Sequence, residues 1–590
     1  MANADRKPRT RRRTRASHVP RPTRLLRIIG QTPSFLDSKG RIVTDSVPVP
    51  AEVLSPGPRG YRVCVVDFDA SKGTYRPAAA VPRGQANDRY LDANDSVLLS
   101  DPGFHAQNAY AIVMRTLARF EFALGRRVSW GFYGHQLQVA PHGIEDANAF
   151  YSEAAHGLTF GHFTGARSGK PVYTCLSHDI VAHETTHAIV DGLRDMYTDA
   201  ALPDQAAFHE GFADIVALLS IFAVPRVMRA SIEKVAKTGR PVNAAWLKES
   251  ALLGIAEELG SELSPSLGRA EALRRSITIE PDPRLLSDPA YQEPHSRGEI
   301  LVHPMLNAFV DVWSERVKPF VGSGSVTATR LWEEAAEAAD HLLTMSIRAL
   351  DYCPPLDLTF GDYLSALLTS DMVLVPDDSK YGYRDRLRKH FGAWGIAPSS
   401  KGGLETGAWQ GPRHGLRRGQ AISTERVHFD SLRTDPDEVF RFLWENRSAL
   451  RVYDDAYTRV TSLRPCKRVG PDGFVLHETV AEYYQRIDCT ANDLRSLGLK
   501  QPPDMDGHQQ VTLFGGGTLI FDEFGTLRYH VRKRIDNLKH QQEKLEYLWT
   551  HRLIDRFGRL GSASVLAGDE RFARLHQARM GASLSRGAEW

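Results

Sequence analysis

The sequence predicts an α+β protein of two lobes, a lobe containing a mixed sheet followed by a mainly helical one, with a further α+β region towards the C-terminus. Three observations carry this prediction. The chain has 590 residues, more than one hydrophobic core usually serves, so about two to four domains are expected. Strand-like runs crowd the stretch before residue 165, and runs of helical period dominate from residue 178 to 396. A Gly/Arg/Pro-rich stretch then breaks the pattern, with Gly402-Gly403 and Gly411-Pro412 through Gly419. The expected division is a basic tail over 1–28, a sheet-containing lobe over 29–200, a mainly helical lobe over 201–397, a linker over 398–419 and an accessory α+β domain over 420–590.

The net charge of +3 and the 25% of charged residues are those of an ordinary soluble globular protein. No apolar run approaches about eighteen residues, so no membrane span is expected. Five cysteines are scattered along the chain, at Cys64, Cys175, Cys353, Cys466 and Cys489. Their spacing fits neither a disulfide framework nor a cysteine zinc site.

Taken in order, residues 1–28 are rich in arginine, including Arg9, Arg11, Arg12, Arg13, Arg15, Arg21, Arg24 and Arg27. No apolar segment follows, so this is not a secretory signal peptide. It reads as a disordered, solvated tail, with contact to nucleic acid or another acidic surface as the second reading. A cytoplasmic protein is expected, or one exported without a cleaved signal. Tyr61–Asp69 reads as a strand ahead of a Ser-Lys-Gly turn, and residues 104–124 carry helical periodicity. Val128–Tyr133, Asn148–Tyr151 and Leu158–Phe163 read as further strands.

The chemistry concentrates in His183-Glu184-Thr185-Thr186-His187. In a helix, His183 and His187 stand one turn apart on one face and can grip a single divalent ion. Glu184 is offset, and can reach a water on that ion without itself coordinating, which is the logic of a zinc hydrolase. Ile180, Val181, Ala188, Ile189 and Leu193 supply an apolar face, and neither Pro nor Gly intervenes before Gly192. A pattern with three fixed positions also arises by chance, so a third ligand matters. The apolar run 206–219 supplies Glu210, which can complete a His/His/Glu set and leave a fourth position open. Asp214, one turn on, can accept a hydrogen bond from the far nitrogen of a ligand histidine. The plainer reading of Glu210 is a carboxylate near a helix N-terminus. Cys175 and His178 have the spacing of a ligand pair, but the motif histidines already fill the site; His178 and His303 read as structural.

The segment Asp179-Ile-Val-Ala-His-Glu-Thr-Thr-His-Ala188 resembles the motif helix of thermolysin-like metalloproteases, gluzincins whose third ligand is a glutamate. Four further stretches agree in order. Asn148-Ala-Phe-Tyr151 resembles the family's edge strand, implying that Asn148 and the Ala149 backbone hold an extended substrate. Tyr197 stands near the family's transition-state tyrosine. Arg284-Leu-Leu-Ser-Asp-Pro-Ala290 is similar to the stretch whose arginine binds a substrate carbonyl. His295-Ser-Arg-Gly298, with an apolar helix after it, is similar to the segment carrying the catalytic histidine. The resemblance covers roughly residues 55–397 and ends at Arg386–Ile396, shaped like the family's last helix. It implies a two-lobed thermolysin-like fold. Its chemistry would use one zinc ion on His183, His187 and Glu210, with Glu184 as general base and His295 and Tyr197 as oxyanion donors.

The sequence departs from the family in places. Twenty-two residues separate His187 from Glu210, slightly more than usual. Asp179 persists, but Leu218–Phe222 lacks the carboxylates of a calcium site, so structural calcium is not expected. No large pro-region precedes the sheet, which begins near residue 60.

In the C-terminal region Pro436–Asn446 and Lys533–Ile554 read as helices, and Thr512–Val531 as paired strands around Asp522–Gly525. Gly515–Gly517 fits a strand turn better than a phosphate loop, because no Lys-Ser/Thr follows. No family resemblance attaches to this region, which is expected to position substrates, inhibit the site or bind a partner.

The expected function is zinc-dependent endopeptidase cleavage of peptides or proteins. A gluzincin aminopeptidase, faintly suggested by Phe208–Ala213, and a non-proteolytic metal-containing binding protein are the alternatives. Against the first stands the missing Gly-x-Met-x-Asn strand, and against the second the intact Glu184.

Overall fold

Strands β1 (Thr23–Ile29) and β2 (Thr44–Pro50) form an antiparallel ribbon. The basic tail predicted over 1–28 therefore gives way to ordered structure by Thr23. Arg27 is held in place rather than solvated: its guanidinium donates to Thr44 Oγ1 at 2.9 Å and to the carbonyls of Tyr90 and Ala93 at 2.7 and 2.8 Å. The computed structural model describes residues 22–80, 88–199, 201–238, 243–249, 251–254, 262, 276–321, 327–400, 406–412, 421–470, 473–554, 558–561, 572 and 576. The prediction for residues 1–21 lies outside these.

The chain is a mixed α and β protein with several sheets. In the first half, β3 (Val63–Val65), β4 (Leu137–Ile144) and β6 (Gly157–Thr164) run parallel; β5 (Ala149–Ser152) and β7 (Pro171–Tyr173) pair antiparallel with β6. β5 forms an edge, as Asn148–Tyr151 suggested. The predicted strand Tyr61–Asp69 splits into β3 and a separate two-residue strand, Phe68–Asp69, which pairs with Thr74–Tyr75. Val128–Tyr133 is not a strand. It is a loop pressed against the end of the motif helix, where a Cβ on Gly192 would collide with the Ser129 carbonyl. Val128 and Trp130 are buried there without pairing, while Tyr133 is exposed.

Helix α1 (Pro102–Leu124) lies behind the sheet. Asp101 caps it by accepting from Gly103 N–H at 2.8 Å, Pro102 opens it, and Gly125 closes it at φ +67°. The motif helix is α2 (His178–Leu193), buried along its whole length. The helices α3 (Pro203–Ile221), α4 (Pro294–Val321), α5 (Ala328–Ala349), α6 (Phe360–Leu374) and α7 (Tyr383–Ala393) follow. α3 and α4 approach backbone to backbone at one place. A Cβ on Gly211 would lie 2.8 Å from the Gly298 carbonyl, and one on Gly298 would lie 3.0 Å from Gly211 N. Two glycines facing each other are what let these axes come so close.

The C-terminal region contains α8 (Pro436–Glu445), an antiparallel meander of β8 (Tyr457–Val469), β9 (Val475–Thr490), β10 (Gln510–Asp522) and β11 (Leu527–Lys533), and α9 (Leu538–Thr550). Gly515–Gly517 lies inside β10, opposite Gln485, Tyr484 and Tyr483, and forms neither a turn nor a phosphate loop. A Cβ on Gly515 would meet Ile535 N at 2.5 Å, so the absence of side chains there serves close packing.

This region has two apolar clusters of its own, one around Leu494, Leu513 and Leu548 and one around Val439, Phe442 and Leu519, and it also packs against the preceding lobes. Cys466, Val480 and Ile520 are continuous with the core of the preceding lobes. Buried ion pairs join them as well: Asp351 takes both Arg126 and Arg468, Arg194 meets Glu482, and Lys544 reaches Asp357 at 2.6 Å. The stretch predicted as a linker also packs where it is described, because Trp409 donates through Nε1 to the Tyr352 carbonyl at 2.8 Å. Composition marked the break but could not show which faces meet. Among the described residues no single helix is long and apolar enough to cross a membrane.

Candidate metal centre

Helix α2 turns His183 and His187 towards α3, with their Nε2 atoms 3.0 Å apart. Glu210 on α3 closes a triangle: its Oε2 lies 3.4 Å from His183 Nε2 and 3.5 Å from His187 Nε2. Ligands about 2.0–2.1 Å from a tetrahedral ion stand about 3.3 Å apart, which these three edges match. All three residues are buried, and neither Glu210 oxygen makes an aligned hydrogen bond. A buried carboxylate facing imidazole nitrogens without one is a donor set suited to a cation. The three residues fit a zinc ion in number, chemistry and spacing.

The surrounding groups orient the set. Asp214 Oδ1 lies 2.8 Å from His183 Nδ1, as its place one turn after Glu210 suggested. His187 Nδ1 faces His209 Nδ1 at 2.8 Å. Each outward nitrogen is thus engaged and each Nε2 is left for a ligand role. Burial opposes charge on His183, but Asp214 and Glu210 outweigh it and raise its pKa to about 10. Burial instead drives His187 down to about 3. The two motif threonines are structural: Thr185 and Thr186 return their hydroxyls to Val181 and Ala182 carbonyls at 2.6 and 2.7 Å.

Glu184 lies beside the triangle and takes no part in it. Its Oε2 accepts from Tyr151 N–H of the edge strand at 3.1 Å. Burial raises its pKa, with lesser and opposing effects from His576 and His183.

His295, in the first turn of α4, brings Nε2 to 3.1 Å from Glu210 Oε2 and Nδ1 to 2.7 Å from Glu293 Oε1. The Gly211–Gly298 contact makes this reach possible, because His295 is one turn before Gly298 on the helix that Gly298 draws in.

Two predicted residues do not belong to the centre. Tyr197 is fully buried and donates its hydroxyl to the Pro354 carbonyl at 2.8 Å, so it is no oxyanion donor here. Arg284 sits on an exposed turn, 89% exposed, paired with Asp282 at 2.7 Å. It approaches no ligand. Tyr197 was positioned by its distance from His187 and Arg284 by the resemblance of its stretch, and packing sent both elsewhere. Asn148 is buried, and its Oδ1 accepts from Ala149 N–H at 2.8 Å; it shapes the edge strand. The Ala149 carbonyl does face the centre.

That carbonyl has a partner the sequence reading missed. His576 Nδ1 lies 2.7 Å from Ala149 O, 427 residues away in the chain. His576 Nδ1 is also 3.7 Å from Glu184 Oε1, and its Nε2 is 3.8 Å from Glu210 Oε2. His183, His187, Glu210 and His576 together form one group able to hold a single ion. Phe572 stacks on His187 with ring centroids 4.2 Å apart, and tilts against Tyr151. No local signal pointed to either residue. His209 and Glu293 were also missed, although both stand within two positions of predicted site residues.

Comparison of the sequence with protein-family models and with curated proteins finds no match.

Proposed function

We propose that the protein is a zinc-dependent endopeptidase of the thermolysin-like, gluzincin kind. One observation carries this reading: the His183–His187–Glu210 triangle has zinc spacing, and the uncoordinated carboxylate of Glu184 stands at its side. A purely structural metal site has no use for such a base. A zinc ion bound there supplies Lewis acidity and lowers the pKa of a coordinated water towards about 7.

The chain's own residues do the rest. Glu184 takes a proton from the attacking water, and its raised pKa suits it to hand that proton to the leaving amine. Tyr151 N–H fixes the orientation of that carboxylate. His295, with both ring nitrogens facing carboxylates, suits the imidazolium form and can donate to a developing oxyanion. The edge strand β5 offers the Ala149 carbonyl to an extended peptide backbone.

The test is cleavage of internally quenched, end-blocked peptides by the full-length protein. Wild type, His576→Ala and Glu184→Gln are compared, with metal content measured. The expected result is chelator-sensitive cutting by metal-loaded wild type or His576→Ala, and none by Glu184→Gln still holding one ion. End-blocking excludes an aminopeptidase. Absence of cutting by both metal-loaded proteins overturns the proposal.

A further inference from the structure

We infer that His576 is a displaceable fourth ligand of the metal centre, and that His576 and Phe572 together keep the site closed. This rests on the endopeptidase reading above and deepens it. A catalytic zinc keeps an open coordination position, whereas a site with four protein ligands is closed. His576 is placed to supply the fourth. Its Nδ1 donates to the Ala149 carbonyl at 2.7 Å, which leaves the lone pair on Nε2. That Nε2 is buried, makes no hydrogen bond, and points at the ligand set 3.8 Å from Glu210 Oε2. Hydrogen bonding of one ring nitrogen to a backbone carbonyl, with the other nitrogen bare and aimed at ligands, is how a metal-binding histidine is held.

The same two residues cover what a substrate needs. His576 occupies the Ala149 carbonyl of the edge strand and lies beside Glu184. Phe572, four positions earlier, is buried, stacked on His187 and tilted against Tyr151. Ligand position, general base and backbone acceptor are therefore all taken by these two tethered residues. A tether holds its end at an effective concentration on the order of millimolar, which few free peptides match.

Cobalt(II)-loaded full-length protein tests this without relying on activity. In the wild type, visible absorption should be that of a four-coordinate ion and should not respond to azide. In His576→Ala it should change and respond to azide at concentrations at least tenfold lower. Phe572→Ala should fall between, because burying a Phe side chain is worth about ten- to a hundredfold in the closing equilibrium. Peptide cutting should rise at least tenfold in His576→Ala. Equal azide response and equal cutting in wild type and His576→Ala would overturn the latch and leave the endopeptidase standing. An azide response that differs, with no cutting by either protein, would keep the ligand and remove the endopeptidase. A chain that binds no cobalt would overturn both.

A second, independent observation points to another metal site, formed by His105, His142 and Cys175, all buried. His105 Nδ1 and His142 Nε2 face each other at 2.8 Å. The outward nitrogens meet acceptors: His105 Nε2 is 3.1 Å from the Leu99 carbonyl, and His142 Nδ1 is 2.6 Å from Asp67 Oδ1. If both outward nitrogens donate, two lone pairs confront one another and a cation must lie between them. His183 and His187 show the same arrangement, with Asp214 and His209 behind them. The free Cys175 thiol completes the set from the turn that leads into α2. Two imidazoles and a thiolate suit a thiophilic cation, zinc or monovalent copper.

Cobalt(II) again reads this out, since the His/His/Glu centre contains no sulfur. Full-length protein should bind two ions and show a near-ultraviolet sulfur-to-cobalt band, and Cys175→Ser should lose the band and one ion. Should Cys175→Ser fail to fold, a sulfur scatterer in the X-ray absorption of cobalt-loaded wild type serves instead. One ion per chain, with neither band nor sulfur scatterer, would mean that a proton bridges the two histidines and would overturn this site.

Discussion

Asp214 Oδ1 stands 2.8 Å from His183 Nδ1, one helical turn beyond Glu210 on the same helix. One helix thus supplies both Glu210 of the proposed ligand set and the group that orients His183 on the neighbouring helix. Asp214→Ala removes the acceptor that fixes the imidazole. It is expected to weaken metal binding about 10–100-fold while the fold persists, measured by competition with a chromophoric chelator. Unchanged affinity would show that His183 needs no such support.

The Gly211–Gly298 contact predicts a second effect. Gly298→Ala puts a Cβ 3.0 Å from Gly211 N and 3.1 Å from the Ala207 carbonyl. The backbones must part, at a cost of about 1–3 kcal/mol, and His295 must retreat from Glu210. Activity should fall more than metal content does. A kcat equal to that of the wild type would mean that His295 does not depend on this approach.

His295 and Tyr197 should part company. His295→Ala is expected to lower kcat about 10²–10³-fold. Tyr197→Phe should leave kcat nearly unchanged and reduce stability by about 1–3 kcal/mol, because the Pro354 carbonyl loses its buried donor. Urea unfolding alongside single-turnover rates separates the two. A large kcat loss in Tyr197→Phe at normal stability would restore the tyrosine to the chemistry.

Attachment of the C-terminal sheet should be acid-sensitive. Burial works against the carboxylates of Asp351 and Asp357. Arg126 and Arg468 at the first, and Lys544 and His540 at the second, outweigh it and hold both well below the usual carboxylate range. A carboxylate depressed in the folded state binds fewer protons there than in the unfolded chain. Its stabilisation is full above the unfolded value of about 3.9 and is lost as pH falls below it. The urea midpoint should therefore drop steeply below about pH 4. Asp351→Asn, which leaves two buried guanidinium groups short of a partner, should cost about 3–5 kcal/mol at neutral pH and flatten that drop. A midpoint independent of pH between 5 and 3 would contradict this.

Much of the candidate site was legible because its parts are local. His183 and His187 are one turn apart, Glu184 is adjacent, and Glu210 and Asp214 are one turn apart on the next apolar helix. Helical geometry fixes such relations before any tertiary contact forms. The strand at Ala149 was legible too, from its short β-prone run, and its edge position from the resemblance. Tyr197 was misplaced because it was located by distance along irregular chain, where one or two residues change which way a side chain faces; Arg284 was assigned from the resemblance of its stretch, but its side chain turns out to pair with Asp282 on an exposed turn. Val128–Tyr133 was misread because a loop that buries Val128 and Trp130 on either side of an exposed Ser129 shows the period of a strand. The C-terminal region was read as separate because a Gly/Arg/Pro-rich break shows where composition changes, not where Asp351 will find Arg468.

By itself the sequence determined that His183, Glu184 and His187 share one helix and that Glu210 and Asp214 share another, each set spaced by the 3.6-residue turn. Only the tertiary structure decided that His576 and Phe572 stand over these residues, that His105, His142 and Cys175 meet, and that Gly211 and Gly298 bring His295 to Glu210. Those juxtapositions join residues tens to hundreds of positions apart. No periodicity records such encounters; they follow from which buried faces fit one another once the chain has folded.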